Sequence, residues 1–268
     1  MLDGNIVPEF LYQYTTIDAL KCIVNNRTIR FKRSSLLNDP DESTIKVRTD
    51  KGYSNYQLES IFVSSWTSSQ NESVAMWHMY ADKLRGVRIK LRYDMFLKHG
   101  RLVIDNCGNH VWPGTQIEGI ETCVFKDQKV TIRKVLGPIP VVYETARETL
   151  NHAVVQESNH IGKNNEAFTM NDIDLYEKAV RKMIHWEYEK EYRYILTPYI
   201  AIHGDINSFE QRLIIDPNCP EYIDIPIHKS IEEVVIGPRM SKKKSKEIIE
   251  FLYANGITSV NKSHVNYK

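Results

Sequence analysis

Residues 186–195 read WEYEKEYRYI, and the way this decapeptide folds decides the architecture around it. It holds three glutamates, a lysine, an arginine, three tyrosines and a tryptophan. Upstream, Ile173, Tyr176, Ala179, Val180, Met183 and Ile184 fall on one side at helical spacing, so residues 172–185 are expected to form a helix ending near His185. A strand is then expected from Glu189. Side chains two apart in a strand share a face. Glu189, Glu191 and Arg193 would point one way, and Tyr192 and Tyr194 the other. Charged groups on one face need water or partners, because burying unpaired charge is costly. One arrangement is a solvated outer face with a Glu–Arg pair worth ~0–1 kcal/mol. If the helix continues instead, Glu187 neighbours Glu191 and Glu189 neighbours Arg193. The third arrangement is a cleft wall on which two carboxylates and an arginine converge.

Working outward, LYQYTTIDALKCIVNNRTIRF (residues 11–31) reads as strand, helix, strand. Leu11–Tyr14 is short and aromatic-rich, as strands are. Thr16 suits an N-cap and Asp18 the first turn, where the helix dipole favours an anion. Ala19, Leu20, Ile23 and Val24 make one apolar stripe, Asn25 and Asn26 stop the helix, and Ile29–Phe31 begins a strand. SIFVSSW (60–66) is β-branched and aromatic. Ser73 can cap the helix VAMWHMYADKL, and Gly86 can end it in a left-handed cap. VRIKLRY alternates, with Val87, Ile89 and Leu91 to the core and Arg88, Lys90 and Arg92 outward. Strand-like pieces recur at Thr122–Phe125 and Val130–Ile132, and residues 141–157 read as a helix. SIEEVVIGPRM gives a strand and a turn, Ser241 caps a helix closed by Gly256, and ITSV suits a last strand. The fold expected is α+β: a single domain, residues 1–268, with a split mixed or antiparallel sheet flanked by helices. Its core is residues 11–92 and 186–260, with a helical insert at about 139–185.

A length of 268 residues suffices for one substantial core. The net charge of +1 gives no general electrostatic case for nucleic acid or an anionic membrane, although a local groove can be basic. The apolar runs are too short to span a bilayer, so no membrane partner is expected. MLDGNIVPEF lacks the basic and apolar regions of a secretory signal, which points to the cytoplasm. Cys22, Cys107, Cys123 and Cys219 form no CxxC pair, and reduced thiols rather than a metal site are expected.

Several polar residues have a structural reading beside a functional one. Asn38-Asp39-Pro40-Asp41-Glu42 suits a capped turn, and could also place carboxylates at a site. Met76, Trp77 and Tyr80 suit core packing, and His78 and His185 suit surface or packed positions. Lys242–Lys244 with Lys246 read as a solvated cluster, or with Gly237, Pro238 and Arg239 as an anion site.

Taken together, the ordered pieces Asn-Asp-Pro-x-Glu at 38–42, Met-Trp-x-x-Tyr at 76–80 and Trp-x-Tyr-Glu-x-Glu-Tyr-Arg at 186–193 resemble a bacterial family, domain of unknown function 2971. LYQYTTIDAL and EEVVIGPRM extend the likeness. A more remote resemblance is to DarT-like and related ADP-ribosyltransferases, which hold NAD in a split-sheet cleft. It rests on the opening strand-Thr-helix-strand, on FVSSWTSS at 62–69, and on Glu189-Lys190-Glu191 late in the chain. LYQYTT lacks the His or Arg those families place on the first strand, so Tyr14, Thr15, Arg30 or Arg33 would substitute. The resemblance implies an NAD-consuming transferase of the toxin or antiphage-effector kind, with an unknown nucleic acid or protein acceptor and no metal. Glu191 would stabilise the ribosyl cation and Glu189 would serve the acceptor. Ser64, Ser65 or Thr67 would bind the nicotinamide amide or ribose, and Tyr12 or Tyr14 would stack on the ring. Arg193 would hold pyrophosphate or orient Glu191. The alternatives are a non-catalytic nucleotide-sensing or partner-binding module, and a metal-dependent hydrolase or nuclease using Asp39, Glu42 and the late glutamates.

Overall fold

The computed structural model describes residues 7–49, 52–57, 61–96, 103–104, 111–112, 114–115, 122–125, 128–131, 135–152, 155–161, 167–173, 178–196, 199–200 and 221–266. The opening segment folds as its sequence predicts: β1 (Phe10–Thr15), α1 (Ile17–Asn26) and β2 (Thr28–Arg33). Thr16 Oγ1 accepts the Ala19 N–H at 3.2 Å. The two asparagines are the last helical residues, and Arg27, at φ 53, takes the left-handed position that ends the helix. β3 (Phe62–Thr67), α2 (Val74–Tyr80) and β4 (Val87–Arg92) follow, then β5 (Val135–Pro140), β6 (Glu191–Leu196), β7 (Tyr222–Pro226), β8 (Glu233–Ile236), α3 (Lys242–Ala254) and β9 (Val260–Lys262).

The chain is a single α+β domain. Its main sheet runs β9–β8–β4–β1–β3–β6–β5 to the short edge strand Gly114–Thr115, while β2 branches off, pairing β3 and β7. β8 and β9 are parallel and the other described pairings of this sheet antiparallel, so the sheet is mixed. One face is hydrocarbon: Leu11, Trp66, Ile89, Leu91, Tyr194 and Leu196 meet Leu20 and Ile23 of α1 and Ile248 and Leu252 of α3. Each such burial contributes roughly 1.5–3 kcal/mol, which makes this face the main source of stability.

The sheet is split. β1 joins β4 through six residue pairs, from Phe10–Arg92 to Thr15–Val87. β3 joins β6 through six more, from Glu191–Thr67 to Leu196–Phe62. Between β1 and β3 the register holds a single pair, Tyr12–Thr67. Where the backbones part, the Gln13 side-chain amide donates to the Ser65 carbonyl at 3.0 Å.

Three expectations need correction. Arg88 does not point to solvent: it is buried, its guanidinium 4.7 Å from the Tyr12 ring centre, and it donates to the Gln70 carbonyl. The second face of the sheet is covered by α2 and neighbouring segments, so alternation of polar residues there does not mean exposure. Gly86 is not a left-handed cap. The reversal after α2 is made by Asp82, Lys83 and Leu84 at positive φ, and Gly86 is needed because a Cβ would lie 2.2 Å from the Thr15 carbonyl oxygen. Among the described residues the insert is mostly strand, with Lys178 and Ala179 in a helical turn. Among the described residues only Arg147–His152 is a full helix there, while Val155–Ile161 pairs with Ala167–Ile173 and Val142–Glu144 runs parallel to Arg181–Met183. Short apolar runs fit either period, and strand pairing across the chain decided between them. Tyr176 lies outside the described residues.

Candidate functional site

Strand alternation and register build the site. Ser65 opposes Arg193, and Thr67 opposes both Glu191 and Tyr12, so all five share the face away from the hydrocarbon core. Three segments cover that face and deliver charge to it. The turn Pro40–Glu42, capped by Asp39 through the Asp41 N–H at 3.0 Å, brings Glu42. The short strand Arg181–Met183 brings Lys182. The 3-10 turn Ile184–Glu189 brings Glu189.

Glu189 is therefore not on a strand with Glu191. Lys190, at φ 45, breaks the chain between them, its N–H returning to the Glu187 carbonyl at 3.0 Å. That rules out the continuous helix as well. The two carboxylates still come together, because Lys182 joins them. Its Nζ lies 2.7 Å from Glu189 Oε2, 3.2 Å from Glu42 Oε1 and 3.3 Å from Glu191 Oε2. Arg193 supplies the second cation. Its Nε donates to Glu191 Oε1 at 2.8 Å and one terminal nitrogen to Glu42 Oε2 at 2.5 Å and Glu191 Oε2 at 3.0 Å. The other terminal nitrogen donates to the Ala179 carbonyl at 2.6 Å. All five side chains belong to residues no more than 4 % exposed, so the solvated outer face is overturned too.

The electrostatics differ between the carboxylates. Burial alone would raise Glu191, but Arg193 and Lys182 outweigh it and hold the group down at about 2. Glu189 is raised by burial, which Lys182 only partly offsets and Glu191 reinforces. Tyr80 donates to Glu189 Oε1 at 2.5 Å and accepts from Asn38 Nδ2 at 3.1 Å. Tyr143 accepts the Glu191 N–H at 2.9 Å, and burial pushes its phenol up to about 12. Lys178 is buried on the Asp41 carbonyl at 2.6 Å, and desolvation lowers it to about 8.

A cleft of about 280 Å³ opens along the split. Tyr12, Ser65, Glu189, Glu191 and Arg193 all line it, and Ser65 hydrogen-bonds Glu191 through its side chain. Tyr14 lines it as well, although its hydroxyl accepts the Ser73 N–H and its ring stands edge-on to Trp77. Thr67 Oγ1 is occupied by the Ser69 N–H at 3.1 Å. The side chains of Ser64 and Thr15 belong to the opposite face. Ser64 Oγ accepts the Trp66 indole N–H at 3.0 Å, and Thr15 lines a separate cavity with Asp18 and Cys22. Arg193 has all three nitrogens engaged, so it orients Glu191 and is not available to a ligand's phosphates. The sequence reading gave Tyr80 a packing role and missed Gln13 and Lys182. It read Glu42 as part of a capped turn, as a carboxylate that could reach a site, and as a metal ligand. Glu42 and Tyr80 were legible as the last members of their motifs. Lys182 sits where a helix was expected, and nothing in the sequence marked it.

Of the other candidates, Trp77 is core, and His78 and His185 are exposed. Lys244 and Lys246 pair with Glu247 and Glu250 on the exposed side of α3. Cys22 is an exposed free thiol, while Cys107, Cys219 and residues 1–6 lie outside the described residues. Among the described residues no cluster of His, Cys, Asp or Glu is arranged to hold a metal, and no helix is long and apolar enough to cross a membrane.

No curated protein and no solved structure matches the chain. Residues 76–194 do match a family model, described as Protein of unknown function (DUF2971). The matched stretch contains Tyr80, Lys182, Glu189, Glu191 and Arg193, five of the groups that meet at the cleft. Over residues 76–194 the chain is similar to that family, the one its motifs resemble.

Proposed function

We propose that the split between β1 and β3 is a dinucleotide cleft and that the protein is an NAD-consuming, ADP-ribosyltransferase-like enzyme. The observation that carries this reading is the opening of the sheet at Tyr12–Thr67, with Glu189 held beside it by Tyr80 and Lys182. A volume of about 280 Å³ lies just below the ~300–1,000 Å³ of small-molecule sites, so it suits the nicotinamide–ribose half of NAD rather than the whole molecule.

In this reading the C–N bond between ribose and nicotinamide breaks, nicotinamide leaves with the bonding pair, and positive charge develops on the sugar. Glu189 stabilises that charge and takes the proton of the attacking acceptor, a nucleic acid or protein. Its raised pKa suits acid–base work. Glu191, ion-paired on both oxygens, fixes the geometry through Arg193 and Lys182. This gives Glu189 both of the roles that the resemblance divides between the two glutamates. A toxin or antiphage effector is the biological setting that such chemistry suits.

Incubation with labelled NAD and cell extract tests the proposal. Nicotinamide release and a labelled macromolecule are expected, and Glu189→Gln should lower the rate ~10²–10⁴-fold with the fold retained. No release, or an unimpaired Glu189→Gln, overturns it. A second reading, a nucleotide-sensing or partner-binding module, draws on the fact that Glu42, Glu189 and Glu191 are all ion-paired. It predicts saturable stabilisation by NAD without turnover. The metal-dependent hydrolase has less support, because the Lys182 ammonium already occupies the point where the three carboxylates converge. Activity abolished by a chelator would revive it.

A further inference from the structure

Among the described residues four cations line the cleft, Arg30, Lys32, Lys182 and Arg193. Two of them, Lys182 and Arg193, are spent on the buried carboxylates. Arg30 is paired with Asp224 through two bonds of 2.8 and 2.9 Å and rests 4.9 Å over the Tyr222 ring. The Lys32 side chain has no hydrogen bond or ion pair among the described residues, and the residue is half-buried. It opposes Val63 across β2 and β3, and Val63 shares a face with Ser65, so the ammonium belongs to the mouth of the same cleft. The cleft is therefore polarised. A cation with no side-chain partner among the described residues stands on the β2 side, and a carboxylate with a raised pKa lies on the far side with Tyr80.

We infer that Lys32 is the anchor for a phosphate carried by a sugar or nucleoside whose ring enters the cleft. A compact ammonium attracts a phosphate as a point charge, and partial burial makes the attraction stronger than at an open surface. The sugar hydroxyls then face Ser65 and Glu189, which accept hydrogen bonds from them. Leu37, Val63 and Met76 supply the apolar wall for a ring. The inference rests on the cleft being a ligand site. It does not require that the ligand react, and it gives the phosphate role to Lys32, because Arg193 is spent.

Calorimetric titration of the full chain with ribose 5-phosphate, ribose and inorganic phosphate separates the contributions. Ribose 5-phosphate should bind, ribose at least tenfold more weakly, and inorganic phosphate more weakly than the sugar phosphate. Lys32→Ala should weaken ribose 5-phosphate about tenfold or more, and Lys32→Arg should restore most of the loss. Binding should also weaken from low to high salt in the wild type and lose that dependence in Lys32→Ala. Equal affinity for ribose and ribose 5-phosphate, or an unchanged Lys32→Ala, overturns the inference. Nicotinamide release from NAD with an unchanged KM in Lys32→Ala would leave the enzyme reading standing and sink this one. Sugar-phosphate binding lost in Lys32→Ala, with no NAD turnover, would do the reverse.

Discussion

Strand β6 shows two ways to bury a sheet. Tyr194 and Leu196 face hydrocarbon from α1, α3 and the neighbouring strands. Glu191 and Arg193, on the other side of the same backbone, are just as deeply buried among charges. The first face tolerates exchange among apolar groups of similar volume, since its attraction is non-directional. The second works only when every partner is present, because a buried charge that loses its partner keeps the whole desolvation cost. One side gives stability, and the other fixes which side chains reach the cleft.

The sharpest way to break this comparison is Arg193→Met. It conserves bulk but leaves Glu42 and Glu191 facing each other without Arg193, and should cost ~3–5 kcal/mol in urea unfolding, about as much as Phe62→Ala on the apolar face. A loss below ~1 kcal/mol would mean that the charged face is not a cooperative unit. Acid comes next. Glu191 is depressed, so its contribution is complete above the unfolded value of ~4.3 and is lost as pH falls toward about 2, on the order of 3 kcal/mol in total. Glu189 is raised and has the opposite sign, losing stability as pH climbs through its unfolded value. Chemical unfolding of Glu191→Gln and Glu189→Gln between pH 2 and 6 should therefore change the pH slope in opposite directions.

A smaller effect lies in the alkaline range. Lys178 titrates lower in the folded chain, at about 8, than the ~10.4 of an unfolded lysine. The unfolded chain binds the extra proton above pH 8, so stability should rise by about 1 kcal/mol from pH 8 to 9, and Lys178→Met should flatten that rise. Smallest of all, Arg30→Ala removes the exposed pair with Asp224 and should cost no more than ~1 kcal/mol, an effect that salt reduces further.

The apolar face was legible in the sequence because two-residue alternation at Val87, Ile89 and Leu91 and the stripe on α1 depend on local spacing. The charged face was legible only in part. WEYEKEYRYI announced too much charge for an ordinary strand, but it could not show that Lys182, Glu42 and Tyr80 would arrive from elsewhere to neutralise it. Those contacts span up to 151 residues, and pairing at that range leaves no trace in local periodicity. The same limit explains the insert, where apolar residues assigned to a helix belong to strands whose partners lie across a turn or in a separate segment.

The single pair Tyr12–Thr67 has a mechanical consequence. The sheet is two plates, β9–β8–β4–β1 and β5–β6–β3 with β2 and β7, bound like a book whose spine is the apolar core. Beyond that pair, the covers are joined among the described residues by the Gln13 amide, a bond worth only ~0.5–1.5 kcal/mol net. The width of the cleft is thus set by a latch far weaker than either plate, and a ligand that replaces that latch can set the gape for itself.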